Sequence, residues 1–568
     1  MKRLNGFLLI TAMLLLALPA MVFAGGNAES TTDTAQSSGP IIIGSNSAPR
    51  TLNPLYFPSR QDSIVTNMVF DNFVEPDEDG MIVGSLAESF SIADDQVTYT
   101  FNLAKNVTWH DGEKFDGDDV VATLKMLAHP DYAGGVDRVD QIVGVDEFKE
   151  NPEGDISGIT LSDDKMTVTI KIKHPSATFL PGLYIQILPE HYIKDFNIGE
   201  LEKEPYNSAP VGTGPFKVTE WKVGTSISLE KNASYFKGEP KVDSIIVKFG
   251  ELVALTTQLQ TGEIDMLEVE EEGYNTFKDD PNFTLYTYPM ASVDYVGFLT
   301  GPGRAEDTKG DRPVFNKTIR QALAYATNKD ALVDGAYGVT GYAHDSVFPK
   351  GTPADSANDN PYTYDVEKAK SMIESVGYTM NSSTGIYEKG GEPLSIEMFY
   401  AESSSAQAAI FKEQWKKAGV DVNLKLVDFG ALIDVLLRKS DANGNLANSS
   451  AYDKETAASD ANFDAYLLGF AQESDPDEYA QYFVDDPFWN FYHYENEDVQ
   501  KWFAEQAVTT DQEARAAILN KISEQLTEDL PWFTYAGKTE TIVAGNNIGG
   551  LTPDTRGYTM NSHLWYLK

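Results

Sequence analysis

The chain has 568 residues, of which 42% are hydrophobic and 11% aromatic, and its formal net charge is −42. This length is ample for a buried core but too long for one ordinary domain, so we expect two or three domains. The acidic excess disfavours binding to nucleic acid or to an anionic membrane surface, because both need clustered lysine and arginine.

The first 24 residues have the three parts of a secretory signal. Lys2 and Arg3 precede an apolar run over 7–18, and Ala24 supplies the small residue at the cleavage site. A membrane anchor is the alternative, although the apolar run is shorter than a bilayer span. Residues 25–40 are small and polar and predict a flexible leader. Since no later segment is long and apolar enough to cross a bilayer, we expect a soluble mature chain without direct membrane insertion.

The chain contains no cysteine. Disulfides are therefore excluded, and so is a lipid-modified N-terminal cysteine. An exported protein without such an anchor would be lost from a bacterium with a single membrane. We therefore expect a periplasmic location, enclosed by an outer membrane.

Apolar residues alternate with polar ones over 97–103 and again over 166–172, which predicts two half-buried strands. Between them, residues 116–127 have the start of a helix, with Asp116 as the N-cap. The passage APVGTGPFKV (209–218) then places two prolines and two glycines directly before another strand pattern. These structure breakers indicate either a crossing between domains or an ordinary tight turn.

The second half of the chain alternates between helix and strand patterns. Segment 317–334 is helical by its spacing, and Asp365 caps a helix that Gly377 ends. A helix over 408–419 stops at Gly419 and leads into a strand over 420–427, with Leu426 on its apolar face. A helix, a glycine stop and a strand in succession predict an α/β domain.

The usual signatures of enzymes and cofactor sites are missing. There is no P-loop, GxGxxG, GxSxG or HExxH pattern, and we expect His110 to pack beside a turn rather than to bind a ligand. Residues 441–452 begin with calcium-loop spacing but lack its glycine and its final glutamate. We therefore expect no cofactor, no metal site and no catalytic residues, although a carboxylate pair of the glycosidase type stays open among 86 acids.

Several ordered blocks together resemble a known family. They are TLNPLY (51–56), TFNLAKNVTWHDGEKFDGDDVVATL (100–124), LEKNASYFKGEPKVDSI (229–245) and DLPWFTYAG (529–537). In this order they are similar to the dipeptide/oligopeptide-binding proteins of ABC importers, which belong to family 5 of the bacterial extracellular solute-binding proteins. The resemblance covers nearly the whole mature chain.

The resemblance implies an α/β, two-lobed periplasmic binding protein fold of the large three-domain type. Mixed sheets with flanking helices would surround a ligand cleft between the lobes. The main domain of lobe 1 would comprise 41–85, 209–300 and 530–568, with a smaller domain inserted at 86–208, and lobe 2 would comprise 301–529. The passage APVGTGPFKV would then be the return from the insertion.

The family pattern also suggests ligand-binding residues. In peptide-binding relatives an acid follows a Gly-Trp pair and holds the amino terminus of the peptide. The matching stretch here begins with Gly469 and Phe470, and the acid falls on Glu473 by one count or on Gln472 by another; we choose Glu473, because a buried ammonium needs a charge partner. Tyr535 matches a pocket tyrosine, and Tyr295 is a further candidate.

The implied function is capture of peptides in the cleft and their delivery to an ABC permease in the inner membrane, by a monomer whose lobes close on the ligand. Oligosaccharides or another solute are the alternative ligands, in which case Phe470 would stack on a sugar ring. A secreted glycoside hydrolase is a more distant alternative. The resemblance implies a binding protein and not an enzyme.

Overall fold

The computed structural model describes residues 39–56, 59–132, 134, 139–301, 312–354, 361–437, 463–471, 475–484, 490 and 492–568. The predicted signal (1–24), nearly all of the predicted leader (25–40) and the calcium-like spacing (441–452) lie outside this part of the chain. The description below concerns the body that begins at Ser38.

The first half of the described chain forms one lobe. Its strands are β1 (Ile41–Ser45), β2 (Val74–Pro76), β3 (Ile82–Gly84), β4 (Ala87–Ile92), β5 (Thr98–Leu103), β6 (Ile159–Leu161), β7 (Thr167–Lys171), β8 (Phe216–Lys222), β9 (Ser226–Lys231), β10 (Ser244–Phe249), β11 (Met266–Val269) and β12 (Phe283–Pro289). Its helices are α1 (Arg60–Val69), α2 (Gly117–Ala128), α3 (Val145–Glu150), α4 (Phe179–Gly182), α5 (Glu190–Ile193), α6 (Leu252–Thr261) and α7 (Glu271–Phe277).

The second half forms the other lobe and then returns to the first. Its strands are β13 (Ser292–Phe298), β14 (Gly341–Ala343), β15 (Thr379–Asn381), β16 (Ile386–Lys389), β17 (Glu392–Pro393), β18 (Ser395–Tyr400), β19 (Asp421–Leu426), β20 (Ala465–Ala471), β21 (Trp532–Gly545), β22 (Ile548–Gly549) and β23 (Tyr566–Leu567). Its helices are α8 (Lys317–Tyr325), α9 (Lys329–Ala336), α10 (Val366–Ser375), α11 (Ser405–Lys417), α12 (Phe429–Leu437), α13 (Ala480–Phe483), α14 (Glu497–Gln506) and α15 (Gln512–Asp529).

A large mixed sheet runs through both lobes in the order β19-β18-β20-β13-β21-β11-β1-β10-β9-β8, with β12 and β14 also paired to β21. The long strand β21 joins the two halves. Its first residues pair with β13, and its last residues pair with β11 and β12. A separate antiparallel sheet, β4-β5-β7-β6, lies within the first lobe.

The buried apolar residues of the described chain form two large cores and a third, smaller one around α6 and β11. One large core draws on residues between Ile41 and Tyr288 and on the C-terminal residues from Ile542 onward. The other large core runs from Val293 to Ala536. The two large cores, joined by shared strands, define two lobes, and the chain crosses between them at β12–β13 and along β21. None of the helices in the described ranges combines the length and the apolar character that crossing a bilayer requires.

Most elements predicted from local patterns are confirmed. Asp116 caps α2 in a capping box, and Asp365 caps α10, because each side chain accepts a hydrogen bond from a backbone NH of the first turn. Gly377 and Gly419 follow α10 and α11 with φ of +92° and +79°, the left-handed conformation in which glycine ends a helix.

The segment 317–334, predicted to be helical, forms two helices, α8 and α9, because Asn328 accepts a hydrogen bond from the backbone NH of Ala331 and starts a new helix. One local prediction is wrong in detail. Leu426 is 57% exposed although its spacing places it with buried Val422. Strand β19 lies at the edge of the sheet, and Leu426 is its last residue.

The passage APVGTGPFKV packs against the end of α1. The NH of Gly214 donates to the carbonyl of Val69 at 2.9 Å, and a Cβ on Gly212 would lie 1.9 Å from the same oxygen. Neither glycine has a positive φ, so close backbone approach requires them here, not an unusual dihedral.

His110 holds this passage from the other side. Its Nδ1 accepts from the NH of Gly212 at 3.2 Å, and its Nε2 lies 3.0 Å from the carbonyl oxygen of Gly214. Burial lowers the pKa of His110 to about 4, so the ring is neutral at pH 7. Both ring nitrogens are used within the fold.

Candidate functional site

A cavity of about 470 Å³ lies between the lobes. The first lobe contributes residues around Ile82, Tyr99 and Leu180, and the second contributes Asp475 and the start of α15. Ala291, in the crossing between β12 and β13, also lines it. The volume is within the range of ligand pockets in proteins, and a position between lobes is a common place for them.

Backbone and amide hydrogen bonds join the two lobes at the wall of this cavity. The side-chain amide of Gln512 donates to the carbonyl of Ile82 at 3.1 Å and accepts from its NH at 2.7 Å. The NH of Ala177 donates to the carbonyl of Ala507 at 2.9 Å. Because these bonds cross from one core to the other, opening the lobes at this wall would break them.

Asp475 and Arg515 form a buried ion pair in the cavity wall. Two guanidinium nitrogens of Arg515 donate to the two carboxylate oxygens at 2.9 and 2.5 Å, and its Nε donates to Gln506 at 3.0 Å. Both side chains are less than 10% exposed. A bidentate pair of this kind compensates both charges, so Asp475 is not a free counter-charge for a ligand.

Arg556 contributes the other guanidinium of the wall, and it is also engaged. It forms an ion pair with Asp554 through two of its nitrogens and donates to the carbonyl of Pro76 at 2.9 Å. In the described part of the wall, both guanidinium groups are therefore neutralised by carboxylates. The remaining lining is apolar or carries neutral hydroxyl and amide groups, which suits a ligand held by shape and hydrogen bonds.

Tyr295 and Phe470, two of the predicted ligand-binding residues, lie together on one face of the sheet of the second lobe. Tyr295 is fully buried in β13, with its ring centroid 4.0 Å from that of Trp532. Phe470 is partly buried in β20 and stacks on Tyr482 at 4.6 Å. We call this cluster the aromatic face. Neither residue belongs to the described lining of the cavity.

Gly469 and Tyr535, the other two described candidates, lie on the opposite face of the same sheet. Gly469 is exposed and pairs with Asp294 across the β13–β20 ladder. The hydroxyl of Tyr535 lies 3.4 Å from that of Tyr337, which in turn donates to Oδ2 of Asp294 at 2.7 Å. We call these four residues the polar face. Glu473, the predicted amine anchor, lies outside the described residues, as does Gln472.

The structure identifies residues near the candidate site that the sequence reasoning missed. Asp294 stands in an ordinary strand pattern, and Arg515 and Gln512 stand in the first turn of an amphipathic helix. Local periodicity gives such residues no distinguishing mark, because their partners are distant in sequence. Asp294 and Asp475 are more than nine-tenths buried, and burial raises the pKa of Asp294.

The described residues contain no cluster of three or more histidine, cysteine or acidic side chains that could hold a metal ion. The charged groups near the cavity are instead arranged as pairs.

Comparisons with known proteins agree with this geometry. Residues 81–491 match the family described as bacterial extracellular solute-binding proteins, family 5, middle. The oligopeptide-binding protein AppA of Bacillus subtilis is 26% identical over 99% of this chain and 97% of its own length. The nickel-binding periplasmic protein of Escherichia coli is 27% identical over 66% of this chain and 68% of its own length.

A solved structure shows the same fold over nearly the whole chain. The substrate-binding protein CtaP of an ABC transporter from Listeria monocytogenes is 25% identical, with a TM-score of 0.71. The alignment covers 93% of this chain and 99% of that one. The predicted fold class, an α/β periplasmic binding protein with two lobes around a cleft, is confirmed.

Proposed function

This chain belongs to family 5 of the bacterial extracellular solute-binding proteins, and we propose that it binds peptides in the cleft between its lobes. The predicted family is thereby confirmed. So is the prediction that the chain is not an enzyme, because members of this family are transport components. The peptide ligand, the delivery to a permease and the monomeric state belong to the proposal.

The observation that carries the proposal is the cavity lined from both lobes. A ligand in this space touches both cores at once, so it stabilises the arrangement in which the lobes are together. A permease in the inner membrane would then distinguish the closed, loaded protein from the open one. The similarity to AppA, named for oligopeptide binding, over 99% of the chain favours peptides among solutes.

The charge of the cavity wall determines which groups of a ligand it can bind. Since Arg515 and Arg556 are already paired with carboxylates, the described wall attracts neither a free carboxylate nor a free amine strongly. Peptide NH and carbonyl groups are neutral and suit such a wall. We keep Glu473 as the proposed partner of a ligand ammonium, and Gly469, Phe470, Tyr295 and Tyr535 as proposed ligand-binding residues.

Native mass spectrometry of the purified mature protein tests the ligand class. We expect retained ligands that, after denaturation, give the masses of short peptides. Masses spaced by one hexose would instead identify oligosaccharides and make Phe470 a stacking residue. A protein that is purified empty is then titrated calorimetrically with tetra-alanine and with maltotetraose; binding of the sugar alone overturns the proposal.

Substitution of Glu473 tests the proposed anchor within that function. Glu473→Gln removes the charge while keeping the shape, so we expect peptide affinity to fall tenfold or more, about 1.4 kcal/mol. An unchanged affinity removes Glu473 from the site. Phe470→Leu separates the ligand classes, because loss of the ring abolishes stacking on a sugar but leaves backbone hydrogen bonds to a peptide intact.

A further inference from the structure

Most polar side chains in the described lining of the inter-lobe cavity are already hydrogen-bonded within the fold. The hydroxyl of Tyr99 donates to the carbonyl of Ser176 at 3.3 Å, and the hydroxyl of Thr509 donates to the carbonyl of Glu505 at 2.8 Å. The same holds for the side chains of Ser176, Thr352, Asp475, Gln512, Arg515 and Arg556.

Three hydroxyl groups of the described lining are exceptions, and they belong to Tyr184, Thr510 and Thr555. None of these hydroxyls has a hydrogen-bond partner in the part of the chain that the structure describes. Thr510 is only 9% exposed, and the other two residues are partly buried. A hydroxyl that is kept from bulk water without a protein partner costs free energy, so a ligand group that pairs with it removes that cost.

The backbone around Tyr184 is held by hydrogen bonds on both sides. Its NH donates to the carbonyl of Pro181 in α4 at 3.0 Å, and the next carbonyl, that of Ile185, accepts from the NH of Phe73 at 2.7 Å. Burial raises the pKa of the Tyr184 hydroxyl to about 12, so the group keeps its proton at pH 7. The hydroxyl is therefore a fixed, uncharged group that can both donate and accept a hydrogen bond.

The three hydroxyls come from both lobes. Tyr184 and Thr555 belong to the lobe whose core includes Leu183 and Tyr558. Thr510 lies between α14 and α15 in the other lobe. A ligand that pairs with Tyr184 and Thr510 at the same time connects the two lobes, so these bonds form together only in the closed arrangement.

We propose that the hydroxyl of Tyr184 hydrogen-bonds a neutral backbone peptide group of the bound ligand, and that Thr510 makes a second such bond from the other lobe. Each peptide group carries one donor and one acceptor, and a hydroxyl can pair with either. The inference rests on the proposed function and deepens it. This part of the wall then recognises the backbone of the ligand, whatever its termini or side chains.

The first test removes one hydroxyl at a time from two tyrosines of the same cavity. Tetra-alanine and N-acetyl-tetra-alanine amide are titrated calorimetrically into the full mature protein, into Tyr184→Phe and into the matched control Tyr99→Phe. We expect Tyr184→Phe to weaken both probes by the same factor, about fivefold, because one neutral hydrogen bond is lost. The control should match the wild type, since the hydroxyl of Tyr99 is engaged within the fold.

The second test uses two adjacent threonines that both line the cavity. Thr510→Val removes a hydroxyl without a described partner, whereas Thr509→Val removes one that is bonded to Glu505. We expect Thr510→Val to weaken both probes about fivefold and Thr509→Val to leave their affinity unchanged. Thermal unfolding of each variant verifies the fold before titration. An unchanged affinity in Thr510→Val overturns the contact assigned to the second lobe.

Ester analogues show whether the contact of Tyr184 is direct. Three analogues of tetra-alanine are titrated, each with one peptide NH replaced by an ester oxygen, which removes the donor and weakens the carbonyl acceptor. For at least one analogue, the loss caused by the ester and the loss caused by Tyr184→Phe should add to less than their sum, because both remove the same bond. Full additivity for all three analogues would indicate a structural effect and contradict the inference.

The outcomes separate this inference from the proposed function. If the wild type binds tetra-alanine and Tyr184→Phe binds it equally well, the inference is overturned while the proposed function stands. An equal loss in Tyr184→Phe and Tyr99→Phe also overturns it, because the engaged hydroxyl should not matter to the ligand. If the wild type binds maltotetraose and no tetra-alanine, the proposed function fails, and this inference fails with it.

Discussion

The two faces of the sheet in the second lobe differ sharply although adjacent residues build them. The side chains of Tyr295 and Phe470 point into the aromatic face. There the ring centroid of Trp532 lies 4.0 Å from that of Tyr295 and 4.8 Å from that of Phe483. Asp294 and Gly469 point to the polar face, which has an open side at the glycine. The period of a strand sends neighbours to opposite faces, and in β13 the residues on both faces are buried.

The comparison teaches that aromatic content alone is a poor guide to a binding face here. Tyr295 and its aromatic neighbours are packed against one another, and such packing contributes mainly to stability. The polar face is less completely satisfied, because one carboxylate oxygen has no donor in the described structure. We therefore expect substitutions on the aromatic face to change stability more than substitutions on the polar face.

Trp532→Ala should have the largest effect on stability. Its ring is 1% exposed and contacts rings on several sides, so truncation leaves a large cavity and should cost about 4 kcal/mol of unfolding free energy. Urea unfolding followed by circular dichroism measures this loss. The same substitution at Trp221, which is only partly buried in β8, is the control and should cost clearly less. Equal losses would contradict the central role of the aromatic face.

Gly469→Ala should have the next largest effect. The added Cβ would lie 1.7 Å from Oδ1 of Asp294, so the carboxylate must move. We expect this to lower the free energy of unfolding by about 2 kcal/mol. A double-mutant cycle with Asp294→Ala should recover most of the loss, because the clashing oxygen is then gone. Gly250→Ala is the control, since its Cβ would meet nothing closer than 3.6 Å. An unrecovered loss in the double variant would place the strain elsewhere.

The pH dependence of stability should distinguish Asp294→Asn from the wild type. Burial raises the pKa of Asp294 in the folded state, so folding disfavours the ionised carboxylate. At a pH below the ordinary aspartate pKa the carboxyl is protonated in both the folded and the unfolded chain, and it then costs no stability. In the absence of ligand, the variant should therefore gain stability relative to the wild type as the pH rises from 4 to 8. Thermal unfolding across that range measures the difference, and a constant difference would contradict it.

Tyr535→Phe should have the smallest effect. Its hydroxyl lies 3.4 Å from that of Tyr337, a weak contact, so we expect a loss below about 1 kcal/mol. Tyr337→Phe should cost more, because it removes the 2.7 Å hydrogen bond to Asp294. Unfolding and peptide titration of both variants measure the pair. A large loss of peptide affinity in Tyr535→Phe alone would support a direct ligand contact of its hydroxyl.

The sequence by itself predicted the fold class, the family and many local elements. Helix caps act over a few residues, so the local sequence is enough to predict them. Examples are Asp116, Asp365 and the glycines that end α10 and α11. The ordered blocks that carry the family resemblance are also a property of the chain alone. The site residues named from that resemblance stay predictions, and Glu473 lies outside the described residues.

Only the tertiary structure decided which distant residues meet. Asp475 and Arg515 are 40 residues apart in the sequence, and Ile82 and Gln512 are 430 residues apart. Asp294 on β13 pairs with Gly469 on the neighbouring strand β20. Strand periodicity assigns Asp294 and Tyr295 to opposite faces, but it does not say which face is sealed by aromatic rings and which is open at a glycine. That choice depends on the packing of the other elements around the sheet, because burial and charge compensation are properties of the assembled fold.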